Sequence, residues 1–319
     1  METRGKILDS LLPVLAKTEY VSIDEERIKA VAKEFTTIEV PLWDNNFQLL
    51  GTPEETAYYY FFLDSINFCF WAPKGVNRWE YEVEGKWISG YYAYSRAIKD
   101  AFLRDKRFFD ANYLSSISEI NFRNIFAAGK NELLLMPERH AIIRENFSIL
   151  KEQFNGSVLH LLEEARGDAD MLVDLLLKHF SSFRDTIDWH GSTLYFLKRA
   201  QIFPSDLSFS GIDSLKLSHL DHLAAFADYK LPQVLESLGI LKYSDELNAD
   251  IQNETIIPAG SQKEIELRTS TIVAIDRIRE VLVRLGRNIA TNELDWILWV
   301  KAKQTKFKKP HHKTLTTFY

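Results

Sequence analysis

The chain has 319 residues, 46% hydrophobic and 26% charged, which suits a globular fold of one large domain or two closely joined ones and excludes a disordered chain. Its net charge of −6 argues against gripping nucleic acid without sequence preference, which draws on a surplus of Lys and Arg. Its single cysteine, Cys69, excludes an internal disulfide framework and reads as a packed core thiol inside NFCFW. No stretch reaches the ~18 apolar residues of a membrane span, and METRGKILDS lacks the apolar core of a secretory signal. The expectation is a cytoplasmic protein without a membrane partner. Aromatic residues are abundant, with 7 Trp, 13 Tyr and 21 Phe; so many rings can thicken a core or stack on planar ligands.

Helical spacing dominates the chain. Ile7, Leu11, Leu12 and Leu15 form one apolar stripe, and Ile28, Val31 and Phe35 a second that Pro41 closes. Thr52, Pro53, Glu54 and Glu55 make a helix start. The aromatic run from Tyr58 to Trp71 must then be buried on most sides. From Trp79 to Gly90 the period changes to two, and Glu84-Gly85 predicts a small β-hairpin. Helices are expected again at about Tyr92 to Leu103, after the cap Asp168, from Ser218 to Phe226 with a capping box at Ser218 and Asp221, and after Pro232. The last two would meet through a very short link at Ala227 to Leu231. The basic tail, Lys301 to Lys313 (KAKQTKFKKPHHK), reads as a solvated segment or, alternatively, a local anion site. No domain boundary stands out over 1–319. The fold class expected is mainly α with one small β-hairpin.

Common catalytic motifs are missing. His219 and His222 share a helix face at i and i+3 but lack a third metal ligand, and no HExxH occurs. Neither GxGxxG, GxxxxGK[ST] nor GxSxG is present. Composition and spacing lead no further than a helical protein rich in buried aromatics.

Six strings carry more. FFLDSINFCFWA (61–72), YEVEGKWISGYYAYSRAI (81–98), MPERHAIIRENFSIL (136–150), LYFLKRAQIFPSDL (194–207), AFADYKLPQVLESLGILKYSDEL (225–247) and ELDWILW (293–299) resemble the queuosine salvage proteins, in that family's order and across nearly the whole chain. The resemblance implies a helical fold similar to helix-hairpin-helix DNA glycosylases. It also implies a hydrolase that cuts the N-glycosidic bond of queuosine 5′-phosphate to give queuine and ribose 5-phosphate. It implies a small-molecule substrate, no stable nucleic-acid partner, and no cofactor or metal. Oligomeric state stays open. The catalytic aspartate of the FAD[YF] string falls on Asp228, the pocket phenylalanine on Phe226, and the acid expected to hold the base on Asp295. The chain departs from the family where Trp299-Val300 replaces a second acid, and where Trp43 is followed by Asp44, Asn45, Asn46 and Phe47 rather than by a His.

The implied chemistry suits these residue types. Cleavage builds positive charge on the ribose, which a carboxylate beneath the ring stabilises or attacks. Queuine is a 7-deazaguanine, so no N7 lone pair is available to protonate. Its secondary amine is cationic and calls for a buried acid such as Asp295. Phe226, Trp296, Phe47 and Phe68 are candidate stacking or pocket rings. Lys198, Arg199 and Lys230 are candidate phosphate cations, with Arg139 and His140 as weaker ones. Two rival functions are a DNA glycosylase-like enzyme, which would need basic duplex contacts, and a non-catalytic binding module for modified nucleosides, which would not need Asp228.

Overall fold

The computed structural model describes residues 2–42 and 46–319. In chain order the elements are α1 (Thr3–Leu15), β1 (Val21–Ile23), α2 (Glu25–Phe35), α3 (Pro53–Ser65), β2 (Glu80–Val83), β3 (Lys86–Ser89), α4 (Tyr91–Arg104), α5 (Ala111–Ser115), α6 (Glu119–Arg123), α7 (Met136–Gln153), α8 (Val158–Glu164), α9 (Ala169–His179), β4 (Thr186–Trp189), β5 (Ser192–Tyr195), α10 (Lys198–Phe209), α11 (Lys230–Ser237), β6 (Leu241–Tyr243), α12 (Asp245–Gln252), α13 (Gln262–Arg284) and α14 (Thr291–Gln304). The fold is mainly helical, and among the described residues no helix is long and apolar enough to cross a membrane.

The expected hairpin is present as β2–β3, with Glu84 and Gly85 both at positive φ in its turn. It is not the sole strand pair. A second hairpin, β4–β5, turns through His190 and Gly191, also both at positive φ, and β1 pairs with β6 across more than two hundred residues. Strands β1 and β6, three residues each, leave too few alternations to register in the sequence.

Helix α3 starts as predicted, with Thr52 and Glu55 forming a reciprocal cap and Pro53 in the first turn. Its residues from Thr56 to Ser65 are all buried. The chain leaving it, residues 66–72, is irregular and also largely buried. Irregular backbone inside a protein must find hydrogen-bond donors for its carbonyls. Two buried arginines supply several. Arg139 donates to the carbonyls of Ile66, Phe68 and Cys69, and Arg199 to those of Asp64 and Ser65, with its other end on Ser182. Lys198 donates to Asn67 O at 2.9 Å and Lys313 to Ala72 O at 2.6 Å.

Helix α13 runs 23 residues through the interior and buries Glu264, Glu266 and Arg268 along with its apolar side chains. Arg268 grips Asp185 with two bonds of 2.8 and 2.5 Å and lies over the rings of Phe196 and Tyr319. Asp185 also accepts the backbone N–H of Lys198 at 3.2 Å, and its carbonyl accepts those of Phe196 and Leu197. One ion pair therefore fixes the start of α10.

Two expectations need correction. Residues Ser218 to Phe226 do not form a helix: a single 3-10 turn covers Leu220–His222, and the chain beyond it is extended. Side chains of neighbouring helices take the N–H groups that a helix would use internally. Gln201 accepts from Ala224 N at 2.7 Å and Asp295 from Phe226 N at 2.8 Å. The tail Lys301–Lys313 is solvated only in part: residues 303–306 and 308 are exposed, but its end is not. His311 to Thr314 and Tyr319 are buried, and Cys69 N donates to Tyr319 O at 3.0 Å, so the last residues pack against the irregular stretch after α3.

Breaking a buried ion pair by removing one partner strands the other charge. Arg268→Met should lower unfolding free energy by about 3–5 kcal/mol, measured by urea denaturation; a loss under about 1 kcal/mol would show that Asp185 does not depend on it.

Candidate active site

A cavity of about 230 Å³ lies where α10, α14, the extended segment before α11 and the end of the β2–β3 hairpin converge. Two helix faces make its walls. Lys198, Ile202, Ser205, Asp206 and Phe209 line it from α10, and Asn292, Asp295, Trp296, Trp299 and Lys303 from α14. Both sets recur at intervals of three and four, the spacing of one helix face. Phe226, Asp228 and Lys230 enter from the segment at the start of α11, while Arg78, Gly90 and Tyr91 close the hairpin side.

Asp228 stands at the N-terminal end of α11. Its Oδ1 accepts the backbone N–H groups of Lys230 at 2.7 Å and Leu231 at 2.9 Å. Oδ2 takes no hydrogen bond from a described residue, so one oxygen is fixed and the other remains for the cavity. Burial raises its pKa, and the Lys198 ammonium and the two backbone N–H groups pull it back down. The same residue is thus a helix cap and a cavity acid. Asp295 bonds the Phe226 N–H from α14. Burial pushes its pKa well up, the Phe226 bond opposes this, and the charge of Asp228 adds to the rise.

Lys198 is the cation among the cavity acids. Burial lowers its pKa, while Asp228 and Asp64 favour its charged form. Among the described residues it forms no direct ion pair; its Nζ is held by Asn67, whose side chain in turn donates to Asp64 at 3.1 Å. At the rim sit Arg78, Lys230 and Lys303, none paired with a carboxylate among the described residues. Lys230 donates to Gln233 at 3.1 Å. Burial and the neighbouring Arg78 hold its pKa down to about 8, against the pull of Asp228.

Six residues named from the sequence therefore share one cavity: Asp228, Phe226, Asp295, Trp296, Lys198 and Lys230. The rings of Trp296 and Trp299 stack at 5.3 Å, with the Trp296 indole N–H on Pro41 O at 2.9 Å. Arg199 is placed differently. Its guanidinium is buried under the cavity wall and spent on backbone carbonyls, as is that of Arg139, and His140 bonds Ile117 O at 2.7 Å. Phe47 packs on Tyr92 at 4.6 Å, and Tyr92 meets Trp299 at 5.5 Å, so Phe47 stands one ring behind the lining. Phe68 is buried beneath Arg139. Trp43, Asp44 and Asn45 lie outside the described residues. His219 and His222 bond Asp168 and Asp170, each at 2.6 Å. Sequence reasoning missed Asp206, Asn292 and Arg78, whereas Lys303 belongs to the basic tail read alternatively as a local anion site. The first two had a signal in their spacing from Lys198 and Asp295, while Arg78 sits in a loop with no period to read.

With this geometry in place, sequence comparison decides the family. A family model described as "Queuosine salvage protein" matches residues 48–319. The chain belongs to the queuosine salvage protein family. A relative from Sphaerobacter thermophilus, named queuosine 5′-phosphate N-glycosylase/hydrolase, is 36% identical over 98% of this chain and 97% of its own length. Relatives of the same name from Dictyostelium discoideum and Mus musculus are 36% and 32% identical over 83% and 84% of this chain, covering 79% and 83% of their own lengths. The family match spans both cavity helices and the Asp228 segment.

Asp64, behind Asn67, has its pKa pushed up to about 7 by burial, opposed by Asn67, Lys198 and Arg199, and its Oδ2 has no partner among the described residues. Between about pH 4 and 7 the folded chain keeps a proton there that the unfolded chain has released, so stability is lost as pH rises through that window. Asp64→Asn removes the titration. Its stability relative to the parent should rise by ~1–4 kcal/mol between pH 5 and 7.5, read from urea unfolding at both; an unchanged difference would contradict the assignment.

Proposed function

We propose that the chain hydrolyses the N-glycosidic bond of queuosine 5′-phosphate, consuming water and releasing queuine and ribose 5-phosphate. The observation that carries this reading is Asp228. It is a cavity carboxylate with one oxygen fixed by two backbone N–H groups, and it shares its cavity with stacked indoles and unpaired cations. The names of the relatives support the same substrate.

The chemistry follows from placement. As the glycosidic bond lengthens, positive charge grows on C1′ and the ring oxygen, and a preorganised carboxylate offsets it at no cost in reorganisation. Backbone bonds to Oδ1 prevent Asp228 from turning away, and Lys198 opposes the rise in its pKa without neutralising it by contact. Aromatic walls from Phe226, Trp296 and Trp299 suit a planar base. Asp295 supplies a buried acid for the cationic arm of queuine. Lys230, Arg78 and Lys303 provide the unpaired positive rim that a 5′-phosphate needs, a role we assign to them in preference to the internally bonded Arg199. The same reading keeps the chain as one catalytic domain, since both its early and its late elements build the cavity. It retains the expected kinship with helix-hairpin-helix glycosylases, a small-molecule rather than nucleic-acid partner, and a cytoplasmic setting.

Asp228→Asn keeps the size and the capping oxygen but removes the charge. Turnover of queuosine 5′-phosphate should fall 10²–10³-fold, about 3–4 kcal/mol of barrier, with near-parent thermal stability. Queuine release within tenfold of the parent rate, followed by mass spectrometry, would refute the catalytic role.

Lys230 should make the phosphate preference pH-dependent. The free enzyme loses its ammonium charge as pH rises through about 8, whereas the substrate phosphate is already dianionic above pH 7. The ratio of kcat/KM for nucleotide over nucleoside should therefore decline several-fold from pH 7 to 9. Lys230→Met should start about tenfold lower, ~1.4 kcal/mol, and stay flat. A parent ratio that does not change with pH would remove Lys230 from the phosphate site.

A further inference from the structure

Away from the cationic rim, the cavity contains polar groups that neither Asp228 nor the phosphate uses. Asn292, 2% exposed, gives its Nδ2 to Ser205 Oγ at 3.2 Å. Its Oδ1 is buried and has no hydrogen-bond partner among the described residues. With one N–H of the amide given to Ser205, the Oδ1 is the unsatisfied acceptor of a side chain that lines the cavity. Ser205 is followed along α10 by Asp206, buried and lining the same cavity. The bond Asp206 receives, from the Tyr91 hydroxyl, is long at 3.4 Å. Burial pushes its pKa well up, with Asp64 and Asp295 adding to the rise and Lys198 opposing it. Charged or neutral, a carboxyl group keeps an oxygen able to accept. Asp206 and Asn292 therefore bring to the cavity two acceptors that no described donor satisfies with a short bond.

A buried acceptor without a donor is costly in the empty protein and is satisfied when a ligand brings an N–H. Resting on the substrate proposed above, we infer that Asp206 and Asn292 read the Watson–Crick edge of the base: Asp206 accepts the ring N1–H and Asn292 accepts the exocyclic 2-amino group. A 7-deazaguanine carries these donors side by side on the edge remote from its seventh position. The cationic arm is attached through position 7, on the other side of the base from these donors. The pairing makes the two residues specificity-determining. A site built to bond an N–H rejects the analogue that lacks it, because its own acceptor is left unpaired.

The experiment measures inhibition constants for queuine, 7-deazaguanine and 7-deazahypoxanthine, which lacks the 2-amino group, on the parent, Asn292→Ala and Asp206→Ala. The parent should bind 7-deazaguanine at least tenfold more tightly than 7-deazahypoxanthine. Asn292→Ala should erase that difference. Asp206→Ala should weaken both bases alike, by tenfold or more, and leave unchanged the advantage of queuine over 7-deazaguanine. If a parent that hydrolyses queuosine 5′-phosphate fails to separate the two deazapurines, the inference falls while the proposed function stands. If Asp206→Ala instead abolishes the advantage of queuine over 7-deazaguanine, Asp206 holds the arm and the inference is wrong. The parent comparison and the Asp206→Ala series each decide the matter even if Asn292→Ala does not fold. A parent that neither cleaves the nucleotide nor binds queuine takes the inference and the function down together.

Discussion

The buried pair between Arg268 and Asp185 organises the cavity side of this protein. Asp185 lies between α9 and the β4–β5 hairpin and faces three demands: the guanidinium of α13, the first N–H of α10, and the chain turning from β5 into that helix. Leu197, at the turn, is held at positive φ, a conformation that a non-glycine residue keeps when its surroundings over-determine it. Because Lys198 is the next residue, the ion pair determines where its ammonium can reach. That ammonium bonds the irregular stretch at Asn67 and opposes the rise in the pKa of Asp228. A pair of charges with no contact with the cavity thus sets the electrostatics inside it.

Positive charge serves two distinct purposes here. Arg139, Arg199, Lys198 and Lys313 donate to backbone carbonyls of residues 64–72, which allows non-helical chain to run through the interior beside the cavity. Arg78, Lys230 and Lys303 stay free of carboxylates at the rim. Burial separates the two groups more clearly than residue type does. A guanidinium sunk among carbonyls contributes to the fold, and an unpaired cation at an opening is available to an anion.

That distinction explains which parts of the molecule were legible in the sequence. The cap at Thr52-Pro53, the cap Asp168 makes to Met171 and the turn at Glu84-Gly85 each act within a few residues, and each was visible. The family strings located Asp228, Phe226, Asp295, Trp296, Lys198 and Lys230. Lys198 and Arg199 are neighbours in one string, yet the first lines the cavity and the second faces carbonyls behind it. Their directions differ by the turn of a helix whose start is fixed by Asp185, more than ten residues earlier. The Ser218–Phe226 segment has helical spacing, but Gln201 and Asp295 hold it extended from two other helices. Helix α13 carries Glu264, Glu266 and Arg268 on buried faces, so its polar pattern reads as a surface. In each case the deciding partner is distant in the chain, and local pattern carries no trace of it.

The resulting cavity is polarised. Asp206, Asp228 and Asp295 line it, with Asp64 behind, and one ammonium, Lys198, stands among them; free cations occupy the rim. Burial raises the pKa of all four carboxyl groups, so the empty site holds acids that a cation would stabilise in their charged forms. A ligand that is negative at one end and positive at the other has one low-energy orientation in such a field, phosphate outward and cationic arm inward. Positive charge that appears on the ribose only during bond cleavage would add to the attraction at Asp228. The field would then favour the transition state over the bound substrate, and that difference is what lowers a barrier.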